Sequence, residues 1–200
     1  IILYSISLLL IITGCSDFLE LEPPSKPSES LFWKTKKDFN NGLTGCYGAL
    51  QEERLSALLI SYECMTDNAY RGSGGTGNYA NEFYVTGLLN PSTEGHVPLL
   101  YNQAYKAIAR INRFLYLLNT VDIVDITADE KKNMLAEAHF LRGYCYWMLL
   151  LFYGEVPVVT DPLTIENQIH PKNTLAEVRE HVLNDFQMAI DNFTKDQTYK

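Results

Sequence analysis

AEAHFLRGYCYWMLLLFYGEVPVVT, residues 136–160, decides how this chain folds. Just upstream, Thr127-Ala-Asp-Glu130 has the Ser/Thr-x-x-Asp/Glu form of a helix start, in which hydroxyl and carboxylate each take up an orphan backbone donor. Met134, Ala138, Leu141, Cys145, Met148 and Phe152 then recur at three- and four-residue intervals, the period of one helix face. From Gly143 to Tyr153 the sequence is apolar on every side, which predicts a central helix packed all round. Arg142 and Glu155 bracket that run, so it is too short for a membrane span, which takes roughly 20 residues. Gly154 stands where a helix C-cap is expected, and Pro157 prevents continuation. Val156 to Thr160 is expected to run extended.

The same start signal occurs twice more. Thr35-Lys-Lys-Asp38 precedes Phe39, Leu43, Cys46 and Leu50, spaced four, three and four. Gly42, Gly45 and Gly48 weaken that helix intrinsically, and they suggest close approach of a neighbouring helix. Thr174-Leu-Ala-Glu177 precedes a stripe of Leu175, Val178, Val182, Phe186, Ala189, Ile190 and Phe193. A further helix is predicted over 98–119, with Pro98 near its start. Its stripe is Tyr101, Ala104, Tyr105, Ile108, Ile111, Leu115 and Leu118. Asn112 falls on the same side, where a buried amide needs hydrogen-bond partners, so it is expected to tie the helix to a loop.

The fold class is therefore mainly α, built of tetratricopeptide-like antiparallel helix pairs. The strict 34-residue consensus of such repeats is not visible, so regular repeats are not assigned. Residues 62–97 differ: they are rich in Gly and Asn, lack a sustained period, and form a long irregular loop region. Loops of that length in a compact domain are usually functional or disordered.

The chain opens IILYSISLLLIITGC. An apolar run over 1–12 is shorter than the roughly 20 residues of a permanent span and fits the core of an export signal. There is neither an initiator Met nor a basic start, so the N-terminus reads as clipped. Ile12-Thr13-Gly14-Cys15 has the lipobox form: an apolar residue, two small ones, then the Cys whose thiol takes the lipid. Residues 16–30, with Pro23, Pro24 and Pro27, read as an extended tether. Cys46, Cys64 and Cys145 remain. They show no CxxC or metal spacing, and Cys46 and Cys145 fall on apolar helix faces as buried thiols. Net charge is −8, which argues against a nucleic-acid footprint. A hydrophobic content of 46% and 13 Tyr supply both a packed core and flat, polar-tipped surfaces.

The chemistry-bearing stretch is TDNAYRGSGGTGNYANEFY, residues 66–84. It mixes carboxylate, amide, guanidinium and aromatic groups, the set a sugar site uses. Asp67 and Arg71, with Asn68 and Asn81, are candidates for bonds to hydroxyls; Tyr70 and Tyr79 are candidates for stacking on a sugar ring. Gly72 to Gly77 matches G-x-G-x-x-G, but without a preceding strand and following helix it reads as a flexible tip rather than a dinucleotide site. His96, His139, His170 and His181 make no metal pair, so no metal and no cofactor is expected. His139 reads as a core or partner-facing residue. No G-x-S-x-G and no evident carboxylate dyad is present. Glu137 and Arg142 read as structural residues that tie helices through hydrogen-bonded ion pairs.

Five blocks in order resemble the SusD/RagB family of outer-membrane nutrient-binding lipoproteins: SDFLELEPP (16–24), LFWKTKKDFNNGLTGCYGAL (31–50), YNQAYKAIARINRFL (101–115), residues 136–160, and LAEVREHVLNDFQMAI (175–190). The resemblance implies a SusD-like α-α superhelix, lipid-anchored through Cys15 in the outer membrane of Bacteroidota and facing the cell surface. Such proteins sit as lids on a SusC-like TonB-dependent transporter. They bind oligosaccharides, or peptides in RagB-like branches, hand them on, and perform no chemistry. Residues 66–84 fall roughly where the family places its N-terminal ligand contacts. Family members are more than twice this length. The expected organisation is thus a truncated signal peptide over 1–14, a lipid-anchored tether over 15–30, and the N-terminal part of a SusD-like helical domain over 31–200. The rival readings are a peptide-binding lipoprotein, a helical-repeat adaptor for a protein partner, and a surface glycoside hydrolase, which requires two carboxylates at a fixed separation.

Overall fold

A computed structural model of the chain describes residues 32–51, 66–68, 96–123 and 125–194. The chain divides into two units, Ile1–Trp33 and Lys34–Lys200. Among the described residues the second holds four helices: α1 (Lys36–Leu50), α2 (His96–Thr120), α3 (Ala128–Tyr153) and α4 (Leu175–Asn192). Among the described residues there is no strand.

All three start signals are formed. The backbone N–H of Thr35 donates to Asp38 Oδ2 at 2.8 Å, that of Thr127 to Glu130 Oε2 at 3.0 Å, and that of Thr174 to Glu177 Oε2 at 2.8 Å. Each threonine hydroxyl accepts in return from the third helical N–H, closing a capping box. At the other end of α3, Gly154 takes φ 69°, and its N–H closes on the Leu150 carbonyl at 3.1 Å. A positive φ is nearly free for glycine and strained for other residues.

Among the described helices, α1 and α2, α2 and α3, and α3 and α4 run antiparallel. Phe39, early in α1, meets Phe114, late in α2, with ring centroids 6.0 Å apart. Tyr101, early in α2, meets Tyr153 at the end of α3 at 5.3 Å. Asn133 Oδ1, early in α3, accepts from the N–H of Thr194, just past α4, at 3.0 Å. The helix that the sequence singles out is central: α3 touches the other three. Two further ties fasten α1 to it. The Lys36 ammonium pairs with the Glu130 carboxylate and holds that carboxyl down to about 2, and the Tyr47 hydroxyl donates to Glu137 Oε2 at 2.8 Å. Glu137 thus ties helices as expected, but through a phenol rather than an ion pair.

The core is apolar and follows the stripes. Phe39, Ile108, Ile111, Phe114, Leu118, Leu141, Met148, Leu149 and Val178 are all at most 1% exposed. Burying each such side chain is worth roughly 1.5–3 kcal/mol. Cys46 and Cys145 are buried thiols, and burial pushes both up to about 12. A thiol in apolar surroundings with so little thiolate is inert.

The structure departs from the periodicity in three places. Ala49 rather than Leu50 completes the buried face of α1. Gly45 and Gly48 are exposed with nothing within 4 Å of where a Cβ would stand, so they bring no helix close. Among the described residues a close approach occurs at Gly143: a Cβ there would lie 3.0 Å from the Phe186 ring and 3.2 Å from Asp185 Cβ. Finally, α3 is not covered on every side: Trp147 and Leu151 are 42% and 59% exposed. Leu175, Ile190 and Phe193 of the fourth stripe are likewise exposed. Periodicity counts apolar residues, whereas burial needs a neighbour, and α1, α2 and α4 cover only part of the circumference of α3.

The two kinds of glycine give opposite expectations. Gly45→Ala should stabilise the protein by up to about 1 kcal/mol, because it gains helix propensity in open space. Gly143→Ala should destabilise it by about 1–2 kcal/mol, because crowding against Phe186 and Asp185 outweighs that gain. Urea unfolding of both variants checks this, and equal stabilisation by the two would contradict the close packing of α3 on α4.

Candidate functional site

Three polar side chains are buried among the described residues, and they lie together: Asn112 on α2, Arg142 on α3 and Asp185 on α4. The guanidinium grips the carboxylate with two bonds, Nε to Oδ2 at 2.8 Å and Nη2 to Oδ1 at 2.7 Å. Its remaining nitrogen, Nη1, donates to Asn112 Oδ1 at 3.0 Å and leans toward the Thr160 carbonyl at 3.4 Å. The fork geometry of Arg matches a carboxylate bidentately, which makes this the strong form of ion pair. His139 Nδ1 is 2.8 Å from Asp185 Oδ1. His181 Nε2 lies 3.3 Å from Oδ2 but without hydrogen-bond geometry, so it contributes proximity rather than a bond. Its ring instead stands edge-on to Tyr146 with centroids 4.7 Å apart.

Burial acts to raise the Asp185 carboxyl, but the bonds from Arg142 and His139 outweigh it and hold the group below its ordinary value. Burial pushes His181 down, and the Asp185 charge only partly opposes this. The cluster is therefore built around an ionised carboxylate and a neutral His181.

The network is also what holds the segment after α3. Val156 to Thr160 belongs to no sheet, yet its backbone groups are taken up one by one. Asn112 Nδ2 donates to the Val159 carbonyl at 2.8 Å, as the sequence position of that amide suggests. The Tyr146 hydroxyl donates to the same carbonyl at 3.0 Å and accepts from the Val159 N–H at 2.7 Å. Tyr105 donates to the Pro157 carbonyl at 2.6 Å. Asn173 completes the set, its N–H donating to Val156 and its Oδ1 accepting from Val158.

Where this segment passes the end of α2 it walls an open cleft of about 260 Å³, lined among others by Tyr116, Asn119, Thr120, His139, Arg142 and Asp161. The Tyr116 ring is 47% exposed and carries the Arg113 guanidinium 5.4 Å from its centroid. Amide, hydroxyl and carboxylate groups beside one aromatic ring can bond the hydroxyls of a small polar ligand. No group of His, Cys, Asp and Glu side chains among the described residues has metal-holding geometry. No helix among them is long and apolar enough to cross a membrane.

Of the residues singled out from sequence as ligand contacts, Asp67 and Asn68 are described. Both are exposed, and the Asn68 N–H closes a short turn on Thr66 Oγ1 at 3.2 Å. Neither lines the cleft. Tyr70, Arg71, Tyr79 and Asn81 lie outside the described residues, as do Cys15, Cys64 and the Gly72–Gly77 tip. The sequence reading found Asn112 and Arg142 but missed Asp185. A signal was available: Val178, Val182, Asp185 and Ala189 are spaced four, three and four, so Asp185 interrupts an apolar stripe. A carboxylate in such a place calls for a buried cation.

A family of SusD-like proteins, described as starch-binding and associating with the outer membrane, matches residues 17–200. The chain belongs to the SusD-like family. Among characterised relatives, SusD-like protein P38 of Formosa agariphila is 29% identical over 194 residues, covering 92% of this chain and 35% of its own length. SusD-like protein P2 of the same organism is 25% identical over 191 residues, with 92% and 36% covered. This SusD-like chain thus spans about a third of the length of the curated relatives it matches. Among solved structures, a laminarin-binding SusD-like protein superposes with a TM-score of 0.70 at 20% identity, covering 82% of this chain and 36% of that one. NanU of B. fragilis does so with a TM-score of 0.70 at 23% identity, covering 88% and 34%. At such identities the likeness is one of fold, and it is the mainly helical SusD-like fold that the sequence led us to expect.

Removing one partner of the buried pair should be far worse than removing both. Arg142→Met should cost about 3–5 kcal/mol by stranding the Asp185 charge, while Arg142→Met with Asp185→Leu should cost clearly less. Chemical denaturation of the wild type, both single variants and the double variant decides it; simple additivity would mean that the pair is not coupled. Stability should also fall with acid. The folded Asp185 carboxyl sits below its unfolded value, so its contribution is present above about pH 4 and is lost as pH drops through the folded value. His181 also sits below its unfolded value, so protonation of the unfolded chain below about pH 6.5 adds to the loss. Asp185→Asn should flatten the more acidic part of this profile in thermal melts.

Proposed function

We propose that this SusD-like chain is the helical part of a lipid-anchored outer-membrane protein that binds a glycan and delivers it to a SusC-like TonB-dependent transporter. The observation that carries the reading is the family match over residues 17–200, a family described as starch-binding and outer-membrane associated. The composition of residues 66–84 supports it, because Asp67, Asn68, Arg71 and Asn81 supply hydroxyl-bonding groups and Tyr70 and Tyr79 supply stacking faces. Flat aromatic faces with polar tips suit a sugar ring, which is apolar on its faces and hydroxylated at its edge. The protein acts by binding alone. Cys15 takes the lipid, and the resulting tether keeps the binding domain at high effective concentration beside the barrel.

Native pull-down of the lipidated, full-length protein from outer membranes tests the partnership. A stoichiometric TonB-dependent barrel is expected; recovery without one would overturn the delivery role. In glycan binding by the same protein, replacing Tyr70 and Tyr79 together by Ala should weaken affinity about tenfold or more, since a well-placed aromatic contact is worth on the order of 1 kcal/mol per ring beyond the area it buries. Helix content should not change. Unchanged affinity would move the ligand contacts elsewhere, and retention of peptides in place of glycans would favour a RagB-like role. Cys15→Ser should abolish fatty-acid labelling and release the protein from membranes.

A further inference from the structure

In the cleft between the end of α2 and the segment after α3, the hydrogen-bonding groups are unevenly spent. Donors are engaged within the protein. Arg142 bonds Asp185 and Asn112 and leans toward the Thr160 carbonyl. Asn119 Nδ2 donates to the Leu115 carbonyl at 3.0 Å, and the Thr120 hydroxyl donates to the Tyr116 carbonyl at 2.9 Å. The Thr160 hydroxyl leans toward Asp161 Oδ2 at 3.4 Å.

What these bonds leave over is mostly acceptors. A carbonyl can only accept, so Leu115 fixes the orientation of the Asn119 amide and leaves Oδ1 for a ligand. An ionised carboxylate can only accept as well, so His139 Nδ1, 2.8 Å from Asp185, carries the proton. In the neutral ring Nε2 then keeps its lone pair. Asp161 is exposed and adds a carboxylate. The apolar side of the cleft is made by Leu115, Pro162 and the Tyr116 ring, which is 47% exposed.

Size and chemistry together narrow the ligand. The cleft offers about 260 Å³, below the roughly 300–1,000 Å³ of sites for drug-sized molecules, so it suits one small ring. A sugar ring brings an apolar face for Tyr116 and hydroxyl donors for the leftover acceptors. A sugar that carries a carboxylate brings further acceptors and sets its charge against Asp161, and unpaired like charge is a device of rejection.

We propose that the α2/α3 cleft is a second subsite, separate from residues 66–84, that takes a single neutral sugar residue and turns acidic sugars away through Asp161. Tyr116 stacks on the ring, while Asn119, His139 and Asp161 accept from its hydroxyls. This rests on the reading of the protein as glycan-binding and adds to it a place and a selectivity.

Titrations of the full-length protein by saturation-transfer NMR test it. The neutral probes are glucose and galactose, the acidic ones glucuronate and galacturonate, and starch and laminarin are run beside them. Each is measured in the wild type and in a Tyr70→Ala, Tyr79→Ala background, which lacks the stacking faces assigned to the loop. A neutral monosaccharide should bind in both, with its uronate at least about tenfold weaker. In the same background Tyr116→Ala should weaken the neutral sugar about tenfold. Asp161→Lys should shift the preference toward the uronate by about tenfold or more. Both residues are exposed, circular dichroism confirms folding, and two variants on different elements keep the test open if one does not fold. Monosaccharide binding that neither variant changes overturns the subsite, as does equal binding of neutral and acidic sugars. Binding of starch or laminarin with no monosaccharide bound overturns the subsite and leaves the glycan-binding reading standing. No binding by any probe overturns both.

Discussion

The fold turns on one ion pair in an apolar interior. Arg142 and Asp185 are 7% and 2% exposed, so both charges are largely withdrawn from water. Taking two such ions out of water costs several kcal/mol each, repaid only when geometry is good and the leftover donors and acceptors are bonded. Here both conditions hold. The fork is bidentate, Asn112 takes the third guanidinium nitrogen, and His139 takes a carboxylate oxygen. One pair therefore links α2, α3 and α4. It also sets how α4 lies along α3: a slide by one turn would displace Asp185 by about 5.4 Å and strand both charges.

The irregular segment from Val156 to Thr160 is a second consequence. Irregular backbone is usually found at the surface because water satisfies it there. Here side chains of α2 and α3 do that work, with Tyr105, Asn112 and Tyr146 each bonding a carbonyl of the segment. Tyr146 serves one residue at both its polar groups, Val159 N–H and Val159 carbonyl. The segment is thereby carried past the end of α2, where Asp161 and Tyr116 face the cleft that Arg142 floors. The polar network is thus a scaffold that fixes the walls of the cleft.

The SusD-like helical fold persists while most of the sequence changes. A TM-score of 0.70 is kept at 20% identity. Apolar stripes tolerate exchange among residues of similar size, provided pattern and total volume are kept. A buried fork between two helices tolerates no comparable exchange, because losing either member leaves a charge without a partner. Ligand preference can then diverge in loops while the helical frame persists.

How much was legible in the sequence depended on the range of the interaction. The three capping boxes at Thr35, Thr127 and Thr174 were readable because both partners sit three residues apart. The Gly154 cap was equally local, and the stripes located the helices because a helix face is a matter of period. Asn112 was recognised as a tie, since an amide on a buried stripe must bond something, but its acceptor at Val159 was not. Asp185 was overlooked because Arg142 lies 43 residues away and only packing brings them together. Two of the glycines mislead for the same reason: Gly45 and Gly48 look like a close-approach motif yet stand in open space, while Gly143 is closely approached. The exposed Trp147, Leu151 and Ile190 make the point most plainly. By itself the sequence determined where helices begin, end and turn apolar, since those depend on neighbours along the chain. Only the tertiary structure decided which buried charges meet and which apolar faces stay open, because burial and pairing are properties of neighbours in space.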